Sequence, residues 1–221
     1  MQSTHGFIPR LPGKFLVFEG PDGSGKTTQY RRLVTLCRDH DVPVCEVREP
    51  GGTSVGERVR TILLDHAHQD MSMRCEMLLY MASRAQLVEQ RIRPALAQRS
   101  VVLADRFVSS TLAYQGAAGG LPTEEIHAVA KVATGGLKPD LVVIFDVDER
   151  TAAARMQPLL APGRAALDRI ESRSEEFHRK VRQGYLEQAA ADPSMHAIID
   201  ASKSPDDVWS QLLSTLSKRL A

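Results

Sequence analysis

The sequence predicts an α/β fold: one doubly wound sheet of about five parallel strands, with helices on both faces. Three observations support this prediction: short apolar runs recur along the chain, longer helical patterns separate them, and each run ends at or beside a polar residue. Strands that alternate with helices form βαβ units, whose strands are parallel and covered on both faces. Ligands bind such sheets beyond the carboxyl ends of the strands, so we expect the functional residues there.

Five apolar runs have the length and composition of buried strands. They cover residues 15–19, 44–48, 101–105, 141–146 and 196–200, the last with the weakest pattern. The clearest helix extends from about residue 72 to residue 98, and its Met-rich apolar stripe indicates a face packed in the core. Pro94 is expected to kink this helix or to end its regular part.

Length and composition are those of one globular domain. The chain has 221 residues, 43% hydrophobic and 25% charged, and we assign residues 15–221 to a single domain after an N-terminal extension, residues 1–14. The formal net charge is only +1, without basic blocks, which argues against a nucleic-acid partner. A few well-placed arginines could still bind an anionic small molecule.

The cysteine content and the hydropathy of the chain indicate its cellular compartment. The chain has three cysteines, and their spacing is not that of metal ligands, which argues against a disulfide framework and against a zinc site. The N-terminal residues lack the apolar core of a signal peptide, and no stretch approaches the roughly 18 apolar residues of a membrane span. We therefore expect a cytoplasmic protein with no membrane partner.

A glycine-rich segment follows the first predicted strand directly. It matches the pattern G-x-x-x-x-G-K-[ST] and consists of Gly20, Pro21, Asp22, Gly23, Ser24, Gly25, Lys26 and Thr27, followed by Thr28 and a helical pattern. Its backbone N–H groups and the helix N-terminus would bind ATP phosphates, Lys26 would reach the β- and γ-phosphates, and Thr27 would ligate Mg²⁺. The segment predicts a P-loop NTPase, and GTPases, ATP-driven motors and small-molecule kinases all remain open.

Further segments, in the same order along the chain, resemble the thymidylate kinase family. The resemblance extends from residue 15 to about residue 200, and no single motif is as specific as the combination. The segments are Arg48-Glu-Pro-Gly-Gly-Thr53, Tyr80-Met-Ala-Ser-Arg84, Asp105-Arg106-Phe107, Ser110-Thr-Leu-Ala-Tyr-Gln-Gly116 and Leu167-Asp-Arg-Ile-Glu171.

The resemblance implies a nucleoside monophosphate kinase-like fold and a defined reaction. ATP, with Mg²⁺, would phosphorylate dTMP to dTDP, a step of dTTP synthesis. A helical lid, at about residues 156–168, would close over the reacting groups. The resemblance also implies a homodimer.

Two arginines and one aspartate are expected at the phosphates. Arg48 and Arg106 follow strands, where a guanidinium group can bind the acceptor phosphate. Asp105 ends the third predicted strand, where it could ligate Mg²⁺ with Thr27 or orient Arg106, and the sequence leaves both roles open.

The resemblance places six residues at the dTMP base and sugar. Tyr80 would stack on thymine and Arg84 would contact it, while Asp22 would lie near the 3′-hydroxyl group. Tyr114 would crowd the 2′ position and disfavour ribonucleotides. Thr111 and Gln115 match neighbours of the base or sugar.

The γ-phosphate needs a further cation. One branch of the family has an arginine where this chain has Gly23, and the other branch supplies it from the lid. Arg164 is the expected lid arginine, with Arg155 and Arg169 as secondary candidates. Because the branches exchange this role, an arginine at position 23 is expected to restore part of the activity lost with Arg164.

Two alternative functions stay open. The nearest is another pyrimidine nucleotide or deoxynucleoside kinase, and the more distant is a P-loop regulatory protein that binds nucleotide without transferring phosphate. Two other features are interpreted as structural: His66 and His68 lack metal-ligand partners, and the charged segment 171–182 is expected to be a solvated helix face with intrahelical ion pairs.

Overall fold

The computed structural model describes residues 6–156 and 168–220. Its five strands have the predicted bounds: β1 (Phe15–Glu19), β2 (Val44–Arg48), β3 (Val101–Asp105), β4 (Leu141–Asp146) and β5 (His196–Asp200). They form one parallel sheet in the order β2-β3-β1-β4-β5. The predicted α/β fold is confirmed, with β1 at the centre and the P-loop directly after it.

Nine α-helices surround the sheet within the described residues. They are α1 (Lys26–Asp39), α2 (Ser54–Leu64), α3 (Met73–Leu87), α4 (Arg93–Ala97), α5 (Val108–Thr111), α6 (Thr123–Thr134), α7 (Glu149–Met156), α8 (Glu175–Ala191) and α9 (Pro205–Arg219). Short 3₁₀ turns cover Ile8–Arg10 and His66–His68, and π-helical segments cover Val88–Ile92 and Leu112–Ala118. In several helices a Ser or Thr side chain caps the first turn, as Thr53 does for α2 by accepting from the Gly56 N–H at 2.9 Å.

The predicted long helix is helical without a break from residue 73 to residue 97, but its hydrogen-bonding pattern changes along the way. A π-helical segment, Val88–Ile92, separates α3 from α4, and Pro94 lies in the first turn of α4. Proline has no N–H, so the regular ladder cannot continue through it, as expected. Met77 and Met81 are buried, which confirms the core interpretation of the stripe, although Leu78 is 49% exposed.

Alternate residues of the three central strands, β3, β1 and β4, pack into two cores, one on each face of the sheet. Leu16 and Phe18 pack with helices α1 and α9, while Phe15 and Val17 pack with the π-helical segment Val88–Ile92 and helix α8. This alternation is the period-2 pattern of strands buried on both faces.

Part of the N-terminal extension belongs to the first core. Phe7, Ile8 and Leu11 are buried there, and the Arg10 guanidinium donates to the Leu220 carbonyl at 3.0 Å. The two ends of the described chain therefore meet beside α9.

No helix in residues 6–156 or 168–220 combines the length and the apolar character that a bilayer crossing requires. The predicted lid, residues 156–168, lies outside the described residues except for its first and last positions.

Candidate active site

One cleft opens at the carboxyl ends of β1, β2 and β3. Its walls come from the P-loop, α1, α2, α3, the segment after β3 and the segment 168–171. The lining residues are Asp22, Lys26, Thr27, Arg48, Glu49, Pro50, Arg60, Leu64, Tyr80, Asp105, Arg106, Ser110, Thr111, Tyr114, Gln115, Asp168, Ile170 and Glu171. The carboxyl ends of the strands, where functional residues were predicted, are therefore where most of the described site residues lie.

Two P-loop positions require glycine, because their φ angles are positive and, at one of them, there is no room for a Cβ. Gly20 has φ of 138°, and a Cβ there would lie 2.6 Å from the Phe145 carbonyl oxygen. Gly25 has φ of 79° and precedes the first turn of α1. The Ser24 hydroxyl is buried without a hydrogen-bond partner among the described residues. Free N–H groups at a helix N-terminus and an unpaired hydroxyl are donors suited to phosphate oxygens.

Lys26 and Asp105 form an ion pair across the cleft floor. The Lys26 side chain is nearly buried, whereas Asp105 keeps 27% of its side-chain surface exposed. Asp105 can therefore reach both the P-loop lysine and the solvent-filled cleft.

Thr27 and Asp105 fit the requirements of a magnesium site. Mg²⁺ in nucleotide enzymes takes one or two protein oxygens and completes its shell with phosphates and water. The exposed Thr27 hydroxyl and the Asp105 carboxylate line the same cleft. No group of three or more metal-ligating side chains occurs in the described part of the chain, which includes His66 and His68.

Arg106 is held in a strained backbone conformation. Its φ is 74°, in the left-handed region, and its N–H donates to the Phe18 carbonyl at 3.0 Å. The guanidinium donates to Asp22 at 2.7 Å and lies over the Tyr114 ring at 5.3 Å. Burial opposes ionisation of Asp22, but Arg106 and Lys26 outweigh it and hold the pKa of that carboxyl below its ordinary value.

A buried glutamate organises the segment that carries Arg106. Glu19 accepts from the N–H groups of Phe107 at 2.8 Å and Ser110 at 3.2 Å, and from the Tyr185 hydroxyl at 2.9 Å. Arg106 in turn donates to the Tyr185 hydroxyl at 3.1 Å. Glu19 was not predicted as a functional residue, because it ends an apolar strand and its partners lie far along the chain.

The aromatic residues predicted at the base and sugar line the cleft. Tyr80, Thr111, Tyr114 and Gln115 all contribute to its wall. The Tyr114 hydroxyl is buried without a hydrogen-bond partner among the described residues. Burial raises the pKa of both Tyr80 and Tyr114, so both phenols are neutral at physiological pH.

Arg84 is placed differently from the other predicted dTMP-binding residues. It is 1% exposed and does not line the cleft. Its guanidinium donates to Glu49 at 2.7 Å, to Thr111 at 3.1 Å and to the Phe107 carbonyl at 2.9 Å. In this structure Arg84 therefore acts on the cleft through Glu49 and Thr111, which do line it.

Arg60 is a cleft residue that the sequence analysis missed. It lies on α2, lines the cleft with Arg48 and Arg106, and donates to the Pro50 carbonyl at 3.1 Å. Burial and the neighbouring Arg48 lower the pKa of Arg60, although a guanidinium remains charged. Arg48 itself is half exposed and bonds to Glu57 at 2.9 and 3.0 Å. No motif marked Arg60, since only the fold of α2 brings it to the cleft.

The two secondary lid candidates are engaged elsewhere. Arg155 donates to the carbonyl groups of Ala201 at 2.8 Å and Ser202 at 3.3 Å. Arg169 is buried and donates to the Leu63 carbonyl at 2.8 Å and to Glu76 at 2.7 Å. Neither lines the cleft, and Arg164 lies outside the described residues.

Position 23 cannot accept an arginine without a backbone rearrangement. Gly23 has φ of 78°, and a Cβ there would lie 2.5 Å from the Ala152 carbonyl oxygen in α7. The expectation that an arginine at position 23 could take over from Arg164 is therefore wrong for this backbone.

The charged segment 171–182 forms fewer intrahelical ion pairs than expected. Lys180 and Glu176 are such a pair, at 3.1 Å. Arg182, however, binds Asp146 at the end of β4 through two bonds of 2.6 and 2.9 Å. The segment is therefore bonded to the sheet through Arg182 and is not only a solvated helix face.

Comparison with known proteins agrees with this geometry. The family model described as Thymidylate kinase matches residues 18–212. A thymidylate kinase from Symbiobacterium thermophilum is 46% identical, and one from Pelotomaculum thermopropionicum is 48% identical, each over 88% of both chains. A crystal structure of thymidylate kinase from Ehrlichia chaffeensis superposes with a TM-score of 0.73 at 31% identity, covering 92% of this chain and 98% of that one. The resemblance seen in the motifs is confirmed, and the chain belongs to the thymidylate kinase family.

Proposed function

We propose that this protein transfers the γ-phosphoryl group of ATP to dTMP and produces dTDP, a step in the supply of dTTP for DNA replication. One observation carries the proposal: a single cleft contains the P-loop lysine, three arginines and two tyrosines. The cations suit two sets of phosphates, and the tyrosines suit a pyrimidine nucleoside.

The acceptor phosphate binds among Arg48, Arg60 and Arg106. Asp22 and Tyr185 hold the Arg106 guanidinium, and its side chain is more buried than that of Arg48. A phosphate oxygen of dTMP attacks the γ-phosphorus directly, the bond from that phosphorus to the β–γ bridging oxygen breaks and ADP leaves, so the reaction needs no protein nucleophile. Catalysis consists of placing the two phosphates in line and neutralising their charge.

The donor phosphates bind at the P-loop, residues 20–28. Its backbone N–H groups and the Lys26 ammonium contact the phosphate oxygens. When ATP binds, Lys26 gives up its ion pair with Asp105 and contacts the β- and γ-phosphates instead. Thr27 and Asp105 would hold Mg²⁺, which offsets negative charge on the ATP phosphates when it is bound.

The nucleoside of dTMP lies between the two tyrosines. Tyr80 stacks on thymine, with Gln115 and Thr111 at its edge. Tyr114 occupies the space beside the sugar 2′ carbon and excludes a 2′-hydroxyl group. Asp22, beside Arg106, accepts from the 3′-hydroxyl group.

The lid, at about residues 156–168, closes over the phosphates and excludes water. Its Arg164 binds the γ-phosphoryl group as charge develops there. The engagement of Arg155 and Arg169 with other parts of the chain supports this choice.

The protein works as a cytoplasmic homodimer. Support comes from exposed apolar side chains on three neighbouring helices: Val55 and Ile62 on α2, Leu78 on α3 and Val132 on α6. Covering such side chains is favourable. We expect Leu78→Glu to shift the sedimentation coefficient from that of a dimer to that of a monomer, and an unchanged dimer would remove these helices from the interface.

The decisive experiment offers ATP and Mg²⁺ with thymidine, dTMP, dUMP, dCMP and UMP, and identifies each product. We expect dTDP to form fastest. Preference for thymidine, dCMP or UMP would identify another pyrimidine kinase. Nucleotide binding without any product would indicate a regulatory P-loop protein.

A further inference from the structure

Glu76 is a buried carboxylate that none of the steps above uses. It lies in the first turn of α3 and has no exposed surface. Its Oε1 accepts from Gln115 Nε2 at 2.8 Å, while its Oε2 accepts from Arg169 at 2.7 Å and from Arg173 at 2.6 Å. One oxygen therefore contacts a residue of the cleft, and the other is held by two cations.

Gln115 donates to Glu76 Oε1, and two guanidinium groups donate to Oε2, so both carboxyl oxygens act as acceptors. A carboxylate that accepts at both oxygens offers its neighbours no donor. Gln115 must therefore turn its NH₂ group toward Glu76, which determines the orientation of an amide whose two ends have nearly the same shape.

The carbonyl end of Gln115 is the end left for the cleft. The side chain is 2% exposed and lines the cleft beside Tyr80 and Thr111. Within residues 6–156 and 168–220, no group donates a hydrogen bond to Gln115 Oε1, and that oxygen is not among the buried unpaired atoms. It is thus an acceptor available to a ligand in the cleft.

We propose that Glu76 is a positioning residue that sets base selectivity by holding the Gln115 carbonyl oxygen toward the base. This inference rests on the proposed function. Thymine and uracil carry an N–H donor at N3, whereas cytosine has an acceptor there. An oxygen fixed at this point bonds the first two bases and repels the lone pair of the third.

Base selectivity depends on the fixed orientation of the Gln115 amide as much as on its hydrogen bond to the base. A glutamine free to rotate its amide by half a turn would offer NH₂ to cytosine and would accept both kinds of base. Because Glu76 Oε1 faces the Gln115 amide while Arg169 and Arg173 bond to Oε2, that rotation would leave two oxygens facing each other in a buried site. Selectivity then depends on a residue that touches no substrate.

The test compares dUMP with dCMP, which share sugar and phosphate and differ only at the N3 and C4 edge of the base. For each protein we would measure kcat/KM with ATP and Mg²⁺, and the dissociation constants of both monophosphates by calorimetry. Wild type is expected to favour dUMP. Glu76→Gln is expected to lower the dUMP-to-dCMP ratio about tenfold, since its amide can donate to a rotated Gln115.

Two controls separate positioning from stability. Arg173→Met removes one cation from Oε2 but leaves the bond to Gln115, so the ratio should stay at the wild-type value. In a Gln115→Met background, adding Glu76→Gln should not change the ratio further, because the amide it acts through is gone. If Glu76→Gln fails to fold, the charge-balanced variant Glu76→Gln/Arg173→Met serves the same comparison.

Equal losses with dUMP and dCMP in Glu76→Gln would overturn the inference and leave Glu76 with a structural role only. An unchanged ratio of dissociation constants would overturn it as well. Failure of the proposed function is a different result: wild type would bind monophosphates without turning over dTMP.

Discussion

The two ends of the cleft, which we propose for the phosphate donor and for the acceptor, are built in different ways. The donor end is formed by consecutive residues 20–28, in which glycines shape the backbone and Lys26 supplies the side-chain charge. The acceptor end is formed by side chains from several segments, and buried carboxylates of Glu19, Glu49 and Glu76 hold those side chains. Backbone shape therefore determines the first end, and a network of interior charges determines the second.

This difference has an energetic consequence. Removing a charge from the donor end leaves few buried groups unsatisfied, so turnover should fall while stability stays close to wild type. Removing a charge from the acceptor end leaves a buried partner unpaired, which costs stability as well as binding or selectivity. The following experiments test that separation.

Lys26→Ala should have the largest effect. Loss of the ammonium at the β- and γ-phosphates should lower kcat by about 10³-fold or more. Its partner Asp105 is partly exposed, so the melting temperature should change little. Steady-state kinetics and thermal denaturation measure the two effects. Near-normal turnover would refute the P-loop assignment.

Arg164→Ala should lower kcat by about 10³-fold with little change in ATP binding, because the contact strengthens only in the transition state. Arg155→Ala is the matched control, since Arg155 binds backbone carbonyl groups of the β5–α9 loop. It should keep most of the turnover. Adding Gly23→Arg to Arg164→Ala should not restore activity. A collapse of kcat in Arg155→Ala alone would move the role to that residue.

Tyr114→Ala should change selectivity more than rate. Removing the ring opens space beside the sugar, so the preference for dTMP over ribothymidine monophosphate should fall about tenfold. Arg106 also loses its stacking partner, so a modest rise in the KM for dTMP should accompany the change. Competition between the two substrates gives the ratio directly, and an unchanged ratio would contradict the assigned role.

Glu49 should give a pH dependence of stability. Burial raises its pKa to about 7, against the partial opposition of Arg84. Between about pH 4.5 and pH 7 the folded state keeps a proton that the unfolded chain has lost, so the free energy of unfolding falls as pH rises. Glu49→Gln should flatten this slope, which for a pKa raised from 4.5 to about 7 amounts to about 3 kcal/mol in total. Urea denaturation at several pH values measures it, and equal slopes in both proteins would refute the assignment.

The strands and the P-loop could be predicted because their signals are local. Each strand is an apolar run of the right length, and the P-loop is a run of adjacent residues with a required backbone shape. The carboxylate network could not be predicted, because Arg169 and Glu76 are 93 residues apart. Nothing near Arg169 distinguishes an arginine that binds phosphate from one that pairs with Glu76. The same limit concealed Arg60 and the burial of Arg84.

The close approach of Gly23 to Ala152 has an evolutionary consequence. The thymidylate kinase family places its γ-phosphate arginine either in the P-loop or in the lid, which suggests a choice that one substitution could reverse. In this chain the carbonyl of α7 occupies the space that a side chain at position 23 would need. An enzyme with this backbone could acquire the P-loop arginine only after a change that moves α7. The order of mutations is therefore constrained, and a lid arginine such as the one we propose at Arg164 would be retained by history as well as by chemistry.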